Sequence, residues 1–307
     1  MRRGRLLPYL FIAPSAIVLA VFWLYPLANA FYMSLVNDSG QWVGLDNYRA
    51  LMGPYGGFWH SLGVSLWYLA GTVPAALVIS FLLANLLFQR LRARGFYRLI
   101  YFLPYITSTV AAATVWRWIF NPRSTGIANA ILEWLGFDPQ RWYYESTGVF
   151  VLMAEGAGFD LPDALAGPSL ALVCAIVFGI WHTLGFNIVI FLAGLSVIPN
   201  ELHEAAEMDG AGLRQRLLHV TVPLLMPTIF FLTIVSIIRS FQTFNEIYVM
   251  TREESIASTQ NLTMLIFNKF YLVNDYGAAT AAAVILFLIL LALTIFQLVV
   301  VGRKVHY

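Results

Sequence analysis

A chain of 307 residues that is 60% hydrophobic and 11% charged, with mean hydropathy +0.74, stands far from the roughly one-quarter charged residues of a soluble domain. That composition excludes a water-soluble globular protein, and a net charge of +2 gives no reason to expect a nucleic-acid partner. An all-α integral membrane protein is expected, because lipid cannot satisfy backbone polar groups and the apolar stretches lack strand alternation.

Six stretches approach or exceed the ~20 residues needed to cross the hydrocarbon core, near 7–35, 62–88, 98–120, 169–195, 223–247 and 277–301. The first begins after Arg2-Arg3 and contains Ala28-Asn29-Ala30, which imitates a signal-peptidase site, but its apolar region is too long for a signal peptide and is interrupted by Pro14 and Pro26. Arg90, Arg92, Arg94 and Arg98 follow the second span, and Trp116 and Trp118 flank Arg117 near the end of the third, as in an aromatic belt with a snorkelling cation. The loop 121–168 carries Trp134, Trp142, Tyr143, Tyr144, Glu145, Glu155, Asp160 and Asp163, and an interfacial helix is expected at about 127–135. Cys174, the single cysteine, lies in the fourth span, so no internal disulfide is possible.

Orientation follows from the basic residues. With both termini in the cytoplasm, the inner side carries Arg2, Arg3, Arg5, the four arginines of 90–98, Arg214, Arg216, Arg303 and Lys304; the outer side keeps only Arg49, Arg123, Arg141, Arg252 and Lys269. The 121–168 loop is then external and the segment 200–222 cytoplasmic. The cytoplasmic acids Glu201, Glu204, Glu207 and Asp209 all fall in that one segment, which suits contact with a partner.

Segment 200–222 reads as a helix, a turn and a second helix. Asn200 is placed to cap, Glu201 and Glu204 suit the positive end of the helix dipole, and Ala205 and Ala206 keep the surface small. Gly210 permits a left-handed turn, and beyond it Leu213, Leu217 and Leu218 face the bilayer while Arg214, Arg216 and His219 stay wet. An amphipathic helix lying on the membrane surface is the simpler alternative. The run Glu204-Ala205-Ala206, Asp209-Gly210-Ala211 and Val220-Thr221-Val222-Pro223, however, resembles the EAA loop of permease subunits of binding-protein-dependent ATP-binding-cassette (ABC) importers. Most of the chain outside 138–168, including Gly185-Phe186-Asn187 and Phe244-Asn245-Glu246, looks like the carbohydrate and glycerol-phosphate type of that family.

The resemblance implies a type I importer permease fold with six transmembrane helices, in which Glu204, Ala205, Ala206, Asp209, Gly210 and Ala211 seat in an ATPase subunit. It also implies a second permease chain, two nucleotide-binding subunits, an external solute-binding protein, and alternating access for a carbohydrate or related polyol or glycerol-phosphate solute. Neither Lys269 nor Lys304 sits in a Walker A context, so ATP and magnesium are expected on the partner ATPase and no cofactor on this chain. His60, His182, His203, His219 and His306 show no metal-ligand spacing, and no nucleophile motif is present, so neither a metal site nor an enzyme is expected.

Ionisable groups within a span usually face a cavity or the bundle interior. At about 100° per residue, Ser236, Arg239, Gln242, Thr243 and Glu246 share one side of the fifth span, and Thr183 and Asn187 form a smaller patch on the fourth. These groups are candidates for a substrate path, with Phe241, Phe244 and Trp181 available to stack on a solute; the alternative is an Arg239–Glu246 ion pair that only fixes packing. An ion-coupled secondary transporter is the competing function, although no inverted repeat is evident.

Overall fold

The computed structural model describes residues 7–89, 93–123, 126–162, 165–251 and 256–301. Arg2, Arg3, Arg5, Arg90, Arg92, Asp163, Arg252, Arg303, Lys304 and His306 lie outside them, as does the side chain of Arg94. Described residues are helical or irregular, with only the isolated bridges Val36–Trp42 and Gly148–Ser169.

The chain divides into two units, residues 1–60 with 262–289 and residues 61–261 with 290–307. In the first, α1 (Leu7–Leu19) continues through a π turn (Ala20–Leu24) into α2 (Tyr25–Met33), and α3 (Asp46–Met52) follows. Asn47 donates to the carbonyls of Ser34 and Val36 at 2.9 and 2.8 Å, pinning the intervening turn. Asp38 Oδ1 accepts the Tyr276 and Gly277 amides, which open α17 (Tyr276–Phe296). Tyr9, Phe11 and Trp23 stay more than 70% exposed, the surface expected of a helix that faces lipid or another chain.

The second unit contains most of α4 (Phe58–Phe88), followed by α5 (Arg94–Ile106), α6 (Thr109–Ile119), α7 (Ile127–Trp134), α8 (Val149–Gly156) and α9 (Leu170–Val197). After these come α10 (Asn200–Met208), α11 (Leu213–Arg216), α12 (Val222–Leu224), α13 (Met226–Phe241), α14 (Asn245–Thr251) and α15 (Ile256–Thr259), with α16 (Leu262–Phe267) beginning the return to the first unit. Helix α9 is apolar all round and therefore central: Ile188, Phe191 and Leu195 pack with Ala84 and Leu87 of α4 and Leu232 of α13, while Cys174 and Phe178 pack with Ala113 and Met250. Gly185 makes the α5–α9 contact possible, since an added Cβ would collide with the Tyr101 carbonyl and lie 2.9 Å from the Phe102 Cα.

Among the described residues, four helices are long and apolar enough to cross a membrane: Tyr9–Met33, Phe58–Phe88, Leu170–Val197 and Tyr276–Val299. The stretches 98–120 and 223–247 depart from the single straight helices expected. The first is two helices bent by 97° at Thr107, which is extended, and Ser108, which is also non-helical; the second is approached through α11 and α12, which meet α13 at 68°, and counting each bent pair as one span gives up to six among the described residues. Prolines accompany both bends. Pro104 removes an amide from the last turn of α5, and Pro227, in the first turn of α13, cannot donate back to Pro223. The π turn Leu217–Thr221 precedes Pro223, whose missing N–H would otherwise bond the His219 carbonyl.

The expected interfacial helix is α7, and the 138–168 segment is a closed excursion. Thr147 and Glu145 carbonyls accept the Leu170 and Ala171 amides, and Val149 donates to the Pro168 carbonyl. Asn129, fully buried, holds its base: Nδ2 donates to the Pro122 and Gln140 carbonyls, and Oδ1 accepts the Gln140 amide and Trp142 Nε1. The Arg117 guanidinium lies 5.2 Å from the Tyr143 ring centre. Outside the spans, the Thr147 hydroxyl holds the Glu145 carboxyl below the ordinary glutamate range; partial burial opposes this, and the Thr147 amide and Arg141 add to it.

Candidate functional site: a polar cavity and an acidic helix-turn

Between α4, α5, α9 and α13 lies a cavity of about 520 Å³, within the range of small-molecule sites. All six candidates for the substrate path, Thr183, Asn187, Arg239, Gln242, Thr243 and Glu246, line it. They are not on one continuous helix. Helix α13 stops at Phe241 and α14 starts at Asn245, and the buried Asn261 side chain donates to the Thr243 carbonyl at 2.6 Å, satisfying a backbone acceptor that the break exposes. Of the three proposed stacking residues only Phe244 reaches the cavity; Phe241 is buried in the core, and Trp181 packs on Trp116 and Phe178.

Arg239 and Glu246 do not form the direct ion pair entertained as an alternative. Arg239 Nη2 donates to the Tyr105 hydroxyl at 3.0 Å, and its guanidinium lies 4.5 Å from the Phe186 ring centre and 5.4 Å from that of Tyr105. Glu246 Oε1 accepts from the hydroxyls of Tyr68 at 3.4 Å and Thr243 at 3.3 Å. Aromatic faces thus hold the cation and hydroxyls hold the carboxylate, each by its own partners. The Thr183 hydroxyl is turned onto the Gly179 carbonyl at 2.8 Å and remains able to accept.

Three deeply buried polar atoms of the lining have no partner, Thr72 Oγ1, Asn187 Nδ2 and Ser240 Oγ, on residues 5%, 2% and 5% exposed. Such groups cost free energy unless something else completes them. Tyr68, Tyr105, His182 and Ser240 also line the cavity and were not among the sequence candidates. The rule that singled out Arg239, an ionisable group inside an apolar span, points equally to His182; the tyrosines, in sequence, look like ordinary core residues.

The 200–222 segment is a helix, a tight turn and a second helix. Pro199 with extended backbone is the N-cap of α10, and Asn200 is the first helical residue rather than the cap. At the other end Ala211 donates to the Ala206 carbonyl and Gly210 to that of Glu207, with Gly210 at φ +77°, the Schellman ending that requires a left-handed residue. Glu204, Ala205, Asp209 and Gly210 are exposed, while Ala206 and Ala211 are half-buried and border a hollow that also includes Arg216 and His219. Arg216 is not simply solvated: it pairs with Glu207 at 2.8 Å and ties the second helix to the first.

Residues 76–306 match the family described as the binding-protein-dependent transport system inner membrane component. The chain belongs to this family. It is 32% identical to the arabinooligosaccharides transport system permease protein AraP of Bacillus subtilis (strain 168), over 96% of this chain and 88% of that one. It is 31% identical to the trehalose/maltose transport system permease protein MalF of Thermococcus litoralis, covering 97% and 94% of the two chains, and 30% to the sn-glycerol-3-phosphate transport system permease protein UgpA of Agrobacterium fabrum, covering 99% and 97%. In fold it matches a chain of a bacterial ABC transporter involved in the import of the acidic polysaccharide alginate, with TM-score 0.78, 21% identity and 98% and 96% coverage. A second match, with TM-score 0.80, 21% identity and 97% and 95% coverage, comes from that type of transporter in complex with an alginate pentasaccharide-bound periplasmic protein. The protein is thus an importer permease subunit of the inner membrane with the ABC type I fold, and membership sets aside the ion-coupled transporter.

Proposed function

We infer that this permease subunit carries a carbohydrate or a related polyol or glycerol-phosphate solute through the cavity between α4, α5, α9 and α13 by alternating access. The observation that carries the reading is the lining itself: hydroxyls, amides, a guanidinium and a carboxylate converge there, with three buried groups left without partners. The solutes named for the AraP, MalF and UgpA relatives agree with a polyhydroxylated ligand. A second, related permease chain completes the pathway, and both termini lie in the cytoplasm, as the basic residues suggest.

ATP and magnesium belong to two partner ATPase subunits, one of which receives the α10 helix-turn. There Glu204, Ala205, Ala206, Asp209, Gly210 and Ala211 offer an acidic, small-residue surface that lets backbone approach backbone. A solute-binding protein docks outside, on the 121–168 region. The test is to tag the subunit in its native host, solubilise gently and identify co-purifying chains by mass spectrometry, for wild type and for Glu204→Ala combined with Gly210→Val. An ATPase and a second permease should accompany the wild type, with the ATPase depleted in the variant; purification without any ATPase would refute the reading.

A further inference from the structure

The cavity holds two opposite charges that do not meet. Arg239 uses one N–H on Tyr105 and leaves the rest of its fork without a hydrogen-bond partner, and Glu246 takes both of its hydrogen bonds on Oε1, leaving Oε2 open. Asn187 Nδ2 and Ser240 Oγ, each more than nine-tenths buried, add a donor and a hydroxyl without partners in the same lining. The relatives cannot say which charge the solute bears, since the names AraP and MalF specify neutral sugars and UgpA a phosphate.

We propose that Arg239 and Glu246 act together to select an uncharged, polyhydroxylated solute, with Glu246 excluding phosphate- and carboxylate-bearing ones. A hydroxyl both accepts and donates, so a neutral polyol or sugar supplies acceptors to Arg239 and Asn187 and a donor to Glu246 in one pose. An anion would satisfy Arg239 but would enter beside a like charge, after losing its hydration to a cavity whose two fixed charges already offset each other. Placing Tyr105 and Phe186 against the guanidinium keeps Arg239 from swinging onto Glu246, so both charges stay open to solute.

This inference rests on the importer reading above, and the experiment separates the two. The assembled complex of both permeases and the ATPase, without binding protein, is placed in lipid nanodiscs. Saturation-transfer NMR reads binding of maltotriose, arabinotriose, glycerol, glycerol 3-phosphate and galacturonate to wild type, Arg239→Gln, Arg239→Lys and Glu246→Gln. In parallel, ATP-driven uptake of the same probes is measured in proteoliposomes containing the complete importer, and ATPase association verifies that each variant is folded.

A neutral probe should bind the wild type, weaken roughly tenfold in Arg239→Gln and in Glu246→Gln, and weaken less in Arg239→Lys, which keeps the charge but loses the fork. The acidic probes should bind only Glu246→Gln. Acidic probes binding the wild type overturn the assignment while leaving the importer reading in place, as does neutral binding that ignores the substitutions or is absent while neutral uptake persists. Absence of ATP-driven uptake of every probe overturns the proposed carbohydrate, polyol or glycerol-phosphate solute, on which this inference rests.

Discussion

Asn129 shows how much one buried side chain can organise. Its amide meets two carbonyls, a backbone N–H and an indole N–H, fixing the start of the 138–168 excursion to the end of α6. Asn129→Ala should strand those groups and lower stability by about 2–3 kcal/mol, given ~1–3 kcal/mol for each buried group that water fails to reach. Thermal unfolding in detergent, with limited proteolysis to locate new cuts within 136–162, measures this. Glu145 makes a pH-dependent contribution in the same region. Its folded-state pKa is depressed, so its stabilisation is complete above the unfolded glutamate value and is lost as pH falls through the folded one. Carboxyl NMR should place the Glu145 titration below that of an exposed glutamate, and Thr147→Val should move it up; an unchanged titration in Thr147→Val would remove the hydroxyl as cause.

At the scale of elements, the close approach of α5 to α9 sets the cavity, because α5 brings Tyr105 to Arg239. Gly185→Val should push α5 away and cost about 1–3 kcal/mol as an overpacked contact. Uptake should fall as well, since Tyr105 moves with its helix. Gly63→Ala is the control: an added Cβ there, inside α4, meets nothing within 4 Å, so uptake should match wild type and the melting temperature should hold or rise slightly, as expected of alanine for glycine in a helix. Equal losses in both variants would show generic glycine sensitivity instead of a specific helix contact. These elements also show what could be read from sequence. Length and apolarity mark the spans, and Gly210 marks the turn, because both are local properties. The bends at Thr107–Ser108 and Leu225 were not legible: prolines flag possible breaks, but neighbouring helices set the angle. The interruption at 242–244 was hidden for a similar reason, since the group that satisfies the Thr243 carbonyl, Asn261, lies 18 residues further on. The polar residues expected on one side of the fifth span line one cavity because helical phase survives a short break approximately, whereas Tyr68 and Tyr105 reach it through packing that no single-helix pattern contains.

Within the second unit as a whole, the helix-turn at 200–216 is joined at both ends to helices that line the cavity. Helix α9 carries Thr183 and Asn187 and reaches α10 through only Ile198 and Pro199; on the far side, the chain passes the Leu225 bend into α13, which carries Arg239 and Ser240. Asn187 lies ten residues before Val197, about 15 Å of continuous helix. On the proposed docking of an ATPase at the turn, a push there would reach two walls of the cavity at once, provided the short joint stays stiff. Pro199 supplies that stiffness with its fixed φ, and Ile198 is anchored in the core with Leu195 and Leu225. Replacing the joint with Ile198→Gly and Pro199→Gly should leave ATPase association intact, because the proposed docking surface is untouched, while lowering solute transported per ATP hydrolysed several-fold. Single replacements should fall between. If the doubly substituted protein transports as many molecules per ATP as wild type, force does not pass through this joint, and the Leu225 bend becomes the element to stiffen or loosen next.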